Sequence, residues 1–216
     1  MNSFLIASEN HPLYSVLMKQ EIPCYTINHH LDLDMIEDHQ DATVLDFTLM
    51  GTVDKIQLLT ILSERFDIVS DLSCAWGDLL HHKFVRLRAS FAAAFYSPKA
   101  ALEVHTPYHS HQKLLSDFFN KLNLTTLYVQ QSGHGFIFPR TISMIINEAY
   151  FSIEDELASP AAIDTAMLFG VNYPLGPIDW SKKIGLAPIC LLLDDLYTTT
   201  KDERYRLSTH LKYLNT

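Results

Sequence analysis

The side chains best suited to chemistry in this chain are its histidines, and they fall in clusters. His105, His109 and His111 lie close together, His29 and His30 precede Asp32 and Asp34, and His81 adjoins His82. Imidazoles and carboxylates are the ligand types that zinc takes. None of these groups shows the helical histidine pair with an intervening catalytic glutamate, so they are read as structural or solvated and no metal is expected. The acidic run from Asp32 to Asp41 reads as a solvated loop. A second possible chemistry is dinucleotide binding. It requires glycines after the first strand, so that the backbone can approach a pyrophosphate and the next helix can present free N–H groups. That loop here is Ala7-Ser8-Glu9-Asn10-His11-Pro12, with no glycine and with Glu9 where phosphates would lie. No cofactor is expected from it.

The elements that must position these residues change character along the chain. Strands are expected at Ser3–Ala7, Ile22–Ile27, Thr43–Phe47, Asp67–Ser70, Val85–Phe91, Leu102–Val104 and Thr126–Val129. Helices are expected around Pro12–Lys19, Asp54–Arg65 and Ser110–Leu122. This rhythm of strand, helix and strand predicts a parallel α/β sheet. From Phe136 onward the apolar spacing is helical to the end. The fold class expected is therefore α/β plus all-α: a shortened, Rossmann-like parallel-sheet domain over 1–132, followed by a helical domain over 133–216. Within the helical part, a helix up to Phe169 with Ile163, Ala166, Met167 and Gly170 on one face is expected to stop at Gly170 in a left-handed cap. Asn172 to Pro177 then form a turn with two prolines, Pro177 entering the first turn of the next helix.

Bulk properties exclude several functions. Hydrophobic content of 48% with 19% charged residues is that of a core-forming globular protein. A net charge of -9 argues against a nucleic-acid partner, which would call for a basic face. The longest apolar runs are too short to span a bilayer and no leader is read at the start, so no membrane role is expected. Cys24, Cys74 and Cys190 are scattered and odd in number, which fits a reducing cytoplasm and small buried thiols.

The stretch Ile163-Asp164-Thr165-Ala166-Met167, Gly170, Asn172-Tyr173-Pro174-Leu175-Gly176-Pro177 and Gly185-Leu186 closely resembles the C-terminal domain of 3-hydroxyacyl-CoA dehydrogenases. Gly135-Phe136-Ile137, Arg140 and Asn147-Glu148-Ala149 resemble the opening of that domain in the same order, and the match covers about residues 133 to 195. Weaker echoes run backwards through Leu102-Glu103-Val104, Ala94-Phe95-Tyr96-Ser97-Pro98 and Val69 to Ser73.

The resemblance implies a hydride transfer between a 3-hydroxyacyl-CoA and NAD, with a histidine as general base and a glutamate orienting it. The histidine position reads Ala94 here, the glutamate matches Glu103, a substrate-contacting serine matches Ser73, and an active-site asparagine reads Pro139. His134 is the candidate for a relocated base, against its reading as a turn histidine facing solvent; Tyr96 is a lesser one. The candidate catalytic residues are thus Glu103, Ser73 and His134. The expectation is a 3-hydroxyacyl-CoA dehydrogenase-like protein, related to fatty acid metabolism, that has lost NAD binding and hydride transfer. It would act as a pseudoenzyme, an acyl-thioester binder or a dimeric scaffold. The alternative is an active NAD-dependent oxidoreductase on 3-hydroxyacyl-CoA or a related hydroxy acid, with altered catalytic residues. The partners implied are an acyl-CoA-like small molecule and a second copy joined through the helical domain, for which the apolar face of Ala187 to Leu196 is a candidate. Arg140 is expected to tie helix ends, and Asn147-Glu148 to brace the domain or its twofold partner.

Overall fold

The computed structural model describes residues 3–27, 36, 38–39, 41–95 and 101–215. The chain divides into two compact units, Met1–Ile137 and Phe138–Thr216.

The first unit is built on a seven-stranded sheet. Its strands are β1 (Ser3–Ala7), β2 (Cys24–Thr26), β3 (Thr43–Phe47), β4 (Asp67–Asp71), β5 (Leu87–Phe91), β6 (Leu102–His105) and β7 (Thr126–Tyr128). Their order is β2-β1-β3-β4-β5-β6-β7. Alternate side chains feed opposite faces, as the pleat requires. Phe4, Ile6, Val44 and Ile68 join one core, with Leu58, Leu59 and Leu62 of α2 (Thr52–Leu62) and Leu80 of α3 (Gly77–Lys83). Leu5, Ala7, Leu45, Phe47 and Val69 join the other, with Leu17 of α1 (Tyr14–Leu17) and Leu115 and Phe119 of α4 (His109–Lys121).

All neighbouring strands run parallel except β5 and β6. A parallel crossover needs a dozen or more residues. Residues 92–101 are too few, so the chain returns antiparallel. The expected strands all form, and α3 is an element that the apolar spacing did not predict. In α2 the buried face is Thr52, Lys55, Leu58, Leu59 and Leu62, so a lysine shares it with leucines, and Ile56 packs partly buried against the same core. In α4, Leu115 and Phe119 are buried and Leu114 is exposed.

The helical elements of the second region are α5 (Ile137–Glu154), α6 (Pro160–Gly170), α7 (Pro177–Ile184), α8 (Leu186–Thr200), a 3-10 turn at Glu203–Tyr205 and α9 (Thr209–Leu214). Gly170 is the last residue of α6 but does not take the left-handed conformation; Asn172 does, with φ 57°. Asparagine tolerates that region because its short polar side chain bonds locally.

Candidate functional site

In an open parallel sheet the ligand crevice lies at the carboxyl ends of strands where the order reverses, which here is between β1 and β3. The loops leaving these two strands are bonded to each other. Leu49 N donates to Ser8 Oγ at 3.2 Å, and Ser8 N donates to Phe47 O at 3.4 Å. Farther along the first loop, His11 is buried with its ring edge-on to Phe47, 5.5 Å between centroids. Leu13 N donates to His11 Nδ1 at 3.1 Å, which leaves the proton on Nε2, and Nε2 lies 3.0 Å from Asp71 Oδ2 at the end of β4. One imidazole thus bridges from the β1 loop across the end of β3 to β4. A dinucleotide needs open backbone N–H groups at this place. The loop has no glycine, Ser8 and His11 are bonded to neighbouring strands, and the exposed Glu9 places a negative charge where phosphates would lie. These residues do not fit NAD.

Asp71 is the hub of this network. Its Oδ1 accepts from Ser73 N at 2.8 Å and from Ser73 Oγ at 2.5 Å, and its Oδ2 accepts from Ala93 N at 3.0 Å as well as from His11. A second buried group stands beside it. Lys55 Nζ, fully buried, donates to Asp46 Oδ2 at 2.8 Å, to Thr48 O at 2.9 Å and to Thr48 Oγ1 at 2.8 Å. Ser70 Oγ donates to Asp46 Oδ2 at 2.6 Å. The lysine's three donors are all used, which is the condition under which a buried ion pair is tolerated. Asp46, Lys55, His11 and Asp71 were not singled out from sequence. The available signal was a charged residue inside an apolar strand, matched by a lysine at the spacing of Leu58, Leu59 and Leu62.

The three candidate residues come to one end of the sheet. Ser73 follows β4 and is buried; besides donating to Asp71, its Oγ accepts from Ala94 N at 3.1 Å. Ala94 is buried as well, and offers no proton acceptor from its side chain. Glu103 lies in β6, where Ala92 N donates to its carbonyl at 3.0 Å. Its Oε2 accepts from the amide of Ile137 at 3.0 Å, at the first residue of α5. His134 is 6% exposed, so it is not the solvent-facing turn residue expected. Its ring lies nearly parallel to Trp76, 5.8 Å between centroids, where the two backbones form an antiparallel bridge. Tyr96, Ser97 and Pro98 lie outside the described residues, as do His29, His30, Asp32 and Asp34.

Among the clustered histidines, His81 and His105 meet edge to face at 4.8 Å between centroids, and His81 Nε2 lies 2.9 Å from Ser90 Oγ. Burial, reinforced by the neighbouring His105, pulls the His81 pKa down to about 4, against an opposing pull from Asp78. His81 is therefore neutral at pH 7. Among the described residues no three histidine, cysteine or acidic side chains gather to hold a metal ion. Nor is any helix among them long and apolar enough to cross a membrane.

In the helical unit the polar residues of the motif bond to backbone within the unit. Asp164, the buried residue of α6, accepts from Ile178 N at 2.8 Å and from Asp179 N at 3.2 Å, and so caps α7. Gly176 is required by that approach: a Cβ there would stand 2.2 Å from the Asp164 carboxyl carbon. Asn147 donates to Arg206 O at 2.9 Å and accepts from Ser208 N at 2.9 Å, so it braces its own unit. Arg140 donates to the Tyr205 hydroxyl. The apolar face of α8 does not serve as an outer surface. Pro188, Ile189, Cys190, Leu192, Leu193 and Leu196 are buried within the unit. The uncovered apolar helix is α6, where Phe169 is 84% exposed and Ile163 and Met167 line an open groove of about 760 Å³ against Met144, Ile145 and Phe151 of α5.

A mostly parallel sheet with a reversal of strand order, followed by a helical unit, defines an α/β plus all-α protein with a Rossmann-like first domain. Residues 135–215 match the family model for the 3-hydroxyacyl-CoA dehydrogenase C-terminal domain, so the helical unit is similar to that domain. The chain is 42% identical over 88 residues to the 3-hydroxyadipyl-CoA dehydrogenase of Escherichia coli K12, covering 37% of this chain and 18% of that protein. It is 35% identical over 72 residues to a probable 3-hydroxybutyryl-CoA dehydrogenase of Bacillus subtilis, covering 33% of this chain and 25% of that one. These alignments span well under half of either relative. In fold, it is similar to the (S)-3-hydroxybutyryl-CoA dehydrogenase of Ralstonia eutropha, with a TM-score of 0.61 and 22% identity over 88% of this chain and 69% of that one.

Proposed function

We propose that this protein is a non-catalytic relative of the 3-hydroxyacyl-CoA dehydrogenases that has lost NAD binding and hydride transfer and works as a homodimeric scaffold. One observation carries this reading, the residue found at the position that the resemblance matches to the general base. Where the resemblance implies a histidine base there is a buried alanine, Ala94, and the matched carboxylate, Glu103, accepts from a backbone amide. Loss of a general base removes about two to four orders of magnitude of rate. The bonded loops at the β1–β3 crevice support the same reading for the cofactor. An active oxidoreductase would need a relocated base, and the leading candidate, His134, is buried with its ring alongside Trp76.

The scaffold part rests on α6. A helix with an apolar composition and a single buried residue, itself an aspartate, leaves Phe169 exposed and Ile163, Met167 and Leu168 only half-buried. Exposed apolar patches of this kind mark association surfaces. The occupant favoured is a second copy, because α6 carries no charge other than Asp164, which is buried and bonded within its own unit. We place the protein in the cytoplasm.

The test is a turnover assay of the purified protein with NADH and acetoacetyl-CoA, followed by absorbance at 340 nm. The reading predicts no thioester-dependent oxidation. A rate within tenfold of an authentic family enzyme would overturn it and point to His134.

A further inference from the structure

The four donors around Asp71 come from separate parts of the sheet. His11 reaches it from the loop after β1, Ala93 N from the chain leaving β5, and Ser73 contributes its amide and hydroxyl from the turn after β4. Ser73 is a local turn partner, but His11 and Ala93 are not, and both aim at Oδ2. Their directions are set by other contacts. Leu13 N fixes the His11 tautomer, and Ala92 N, just before Ala93, is held by Glu103 O. The Ser73 hydroxyl is held in turn by Ala94 N. Such a convergence of preset N–H and O–H donors is what an oxyanion site consists of. Here the anion is the chain's own carboxylate, with a side chain 2% exposed.

We infer that the carboxyl ends of β1, β4 and β5 form an oxyanion site that Asp71 fills as a resident anion, and that the site takes a small external carboxylate when Asp71 is removed. The ligand class follows from what is deleted. Asp71→Ala takes away one carboxylate group, and formate restores a group of that size and charge; phosphate is too large for the same space. The inference goes beyond the proposed function and does not depend on it, because no nucleotide or thioester enters the experiment.

Asp71→Ala is melted in sodium formate, in sodium phosphate and in sodium chloride at matched ionic strength, beside the wild type and the double variant His11→Ala/Asp71→Ala. Formate is expected to raise the melting temperature of Asp71→Ala saturably, while chloride and phosphate do not. At ten times its dissociation constant, formate multiplies the folded-to-unfolded ratio about elevenfold. The wild type stays flat and the double variant loses the response, which a purely structural aspartate would not produce. A formate response in Asp71→Ala no greater than in the wild type overturns the inference, as does an undiminished response in the double variant. If Asp71→Ala does not fold in chloride, the readout is recovery on refolding into formate. Recovery supports the site, and failure at molar formate overturns it.

Discussion

In the helical unit, Asp164 and Asn147 bond to backbone groups of their own unit and thereby shape it. At the strand ends of the first unit, the residues that the resemblance matches to catalysis are likewise bonded to the chain. Ser73 is held between Asp71 and Ala94, Glu103 accepts from Ile137, and an alanine stands where the resemblance implies a base. The contrast teaches that motif residues persist in register when their work is local packing. The polar groups at the strand ends of the first unit are instead bonded to one another. Asp71 and His11 are central to those bonds; Asp71 lies within the weaker echo Val69 to Ser73, whereas His11 lies outside the residues that carry the resemblance.

The largest effect expected from disturbing either region comes from the buried ion pair beside the crevice. Lys55→Met leaves Asp46 buried and without its cation, and should cost about 3–5 kcal/mol in urea unfolding. The double variant Lys55→Met/Asp46→Leu should recover most of that loss. A single variant that costs under about 1 kcal/mol would mean that water reaches the pair.

Next comes pH. The folded-state pKa of His81, about 4, lies below its ordinary 6.5. Between those values the unfolded chain takes up a proton that the folded chain refuses. Stability is therefore full above pH 6.5 and falls as pH drops towards 4, by up to about 3 kcal/mol from this group. In denaturant titrations from pH 7 to pH 4.5, His81→Gln should flatten that slope; an unchanged slope would assign it to other groups.

In the helical unit, Asp164→Ala frees two amides at the start of α7 and should cost about 2 kcal/mol by calorimetric melting, since hydrogen bonds to a charged group are worth about 1.5–3 kcal/mol. The comparison would break if this change were silent. The smallest effect on folding is expected at α6. Phe169→Asp should leave the melting temperature of the separated monomer within about 2 °C, a surface change being worth under about 0.5 kcal/mol. Light scattering should nonetheless show the dimer lost. A wild type that runs as a clean monomer would remove the scaffold reading.

Much of this was legible in the sequence. Short apolar runs marked the seven strands, and Asn172 to Pro177 marked the helix turn, because both signals are local. The expectation for α8 reversed for the opposite reason. An apolar face announces burial but not what buries it, and α8 is covered by its own unit while α6 is not. Lys55 was hidden because its partner, Asp46, lies in a strand whose other residues read as apolar. His11 was hidden because its partner is 60 residues away. The left-handed residue shifted from Gly170 to Asn172 because asparagine accepts that conformation too.

The central claim is that the β1–β3 crevice is closed to a dinucleotide, and titration of NADH into the purified wild-type protein by calorimetry tests it most directly. The account predicts no saturable heat up to millimolar NADH. A stoichiometric isotherm with a micromolar dissociation constant would contradict it, because it would require the Ser8–Leu49 and His11–Asp71 bonds to open for the cofactor.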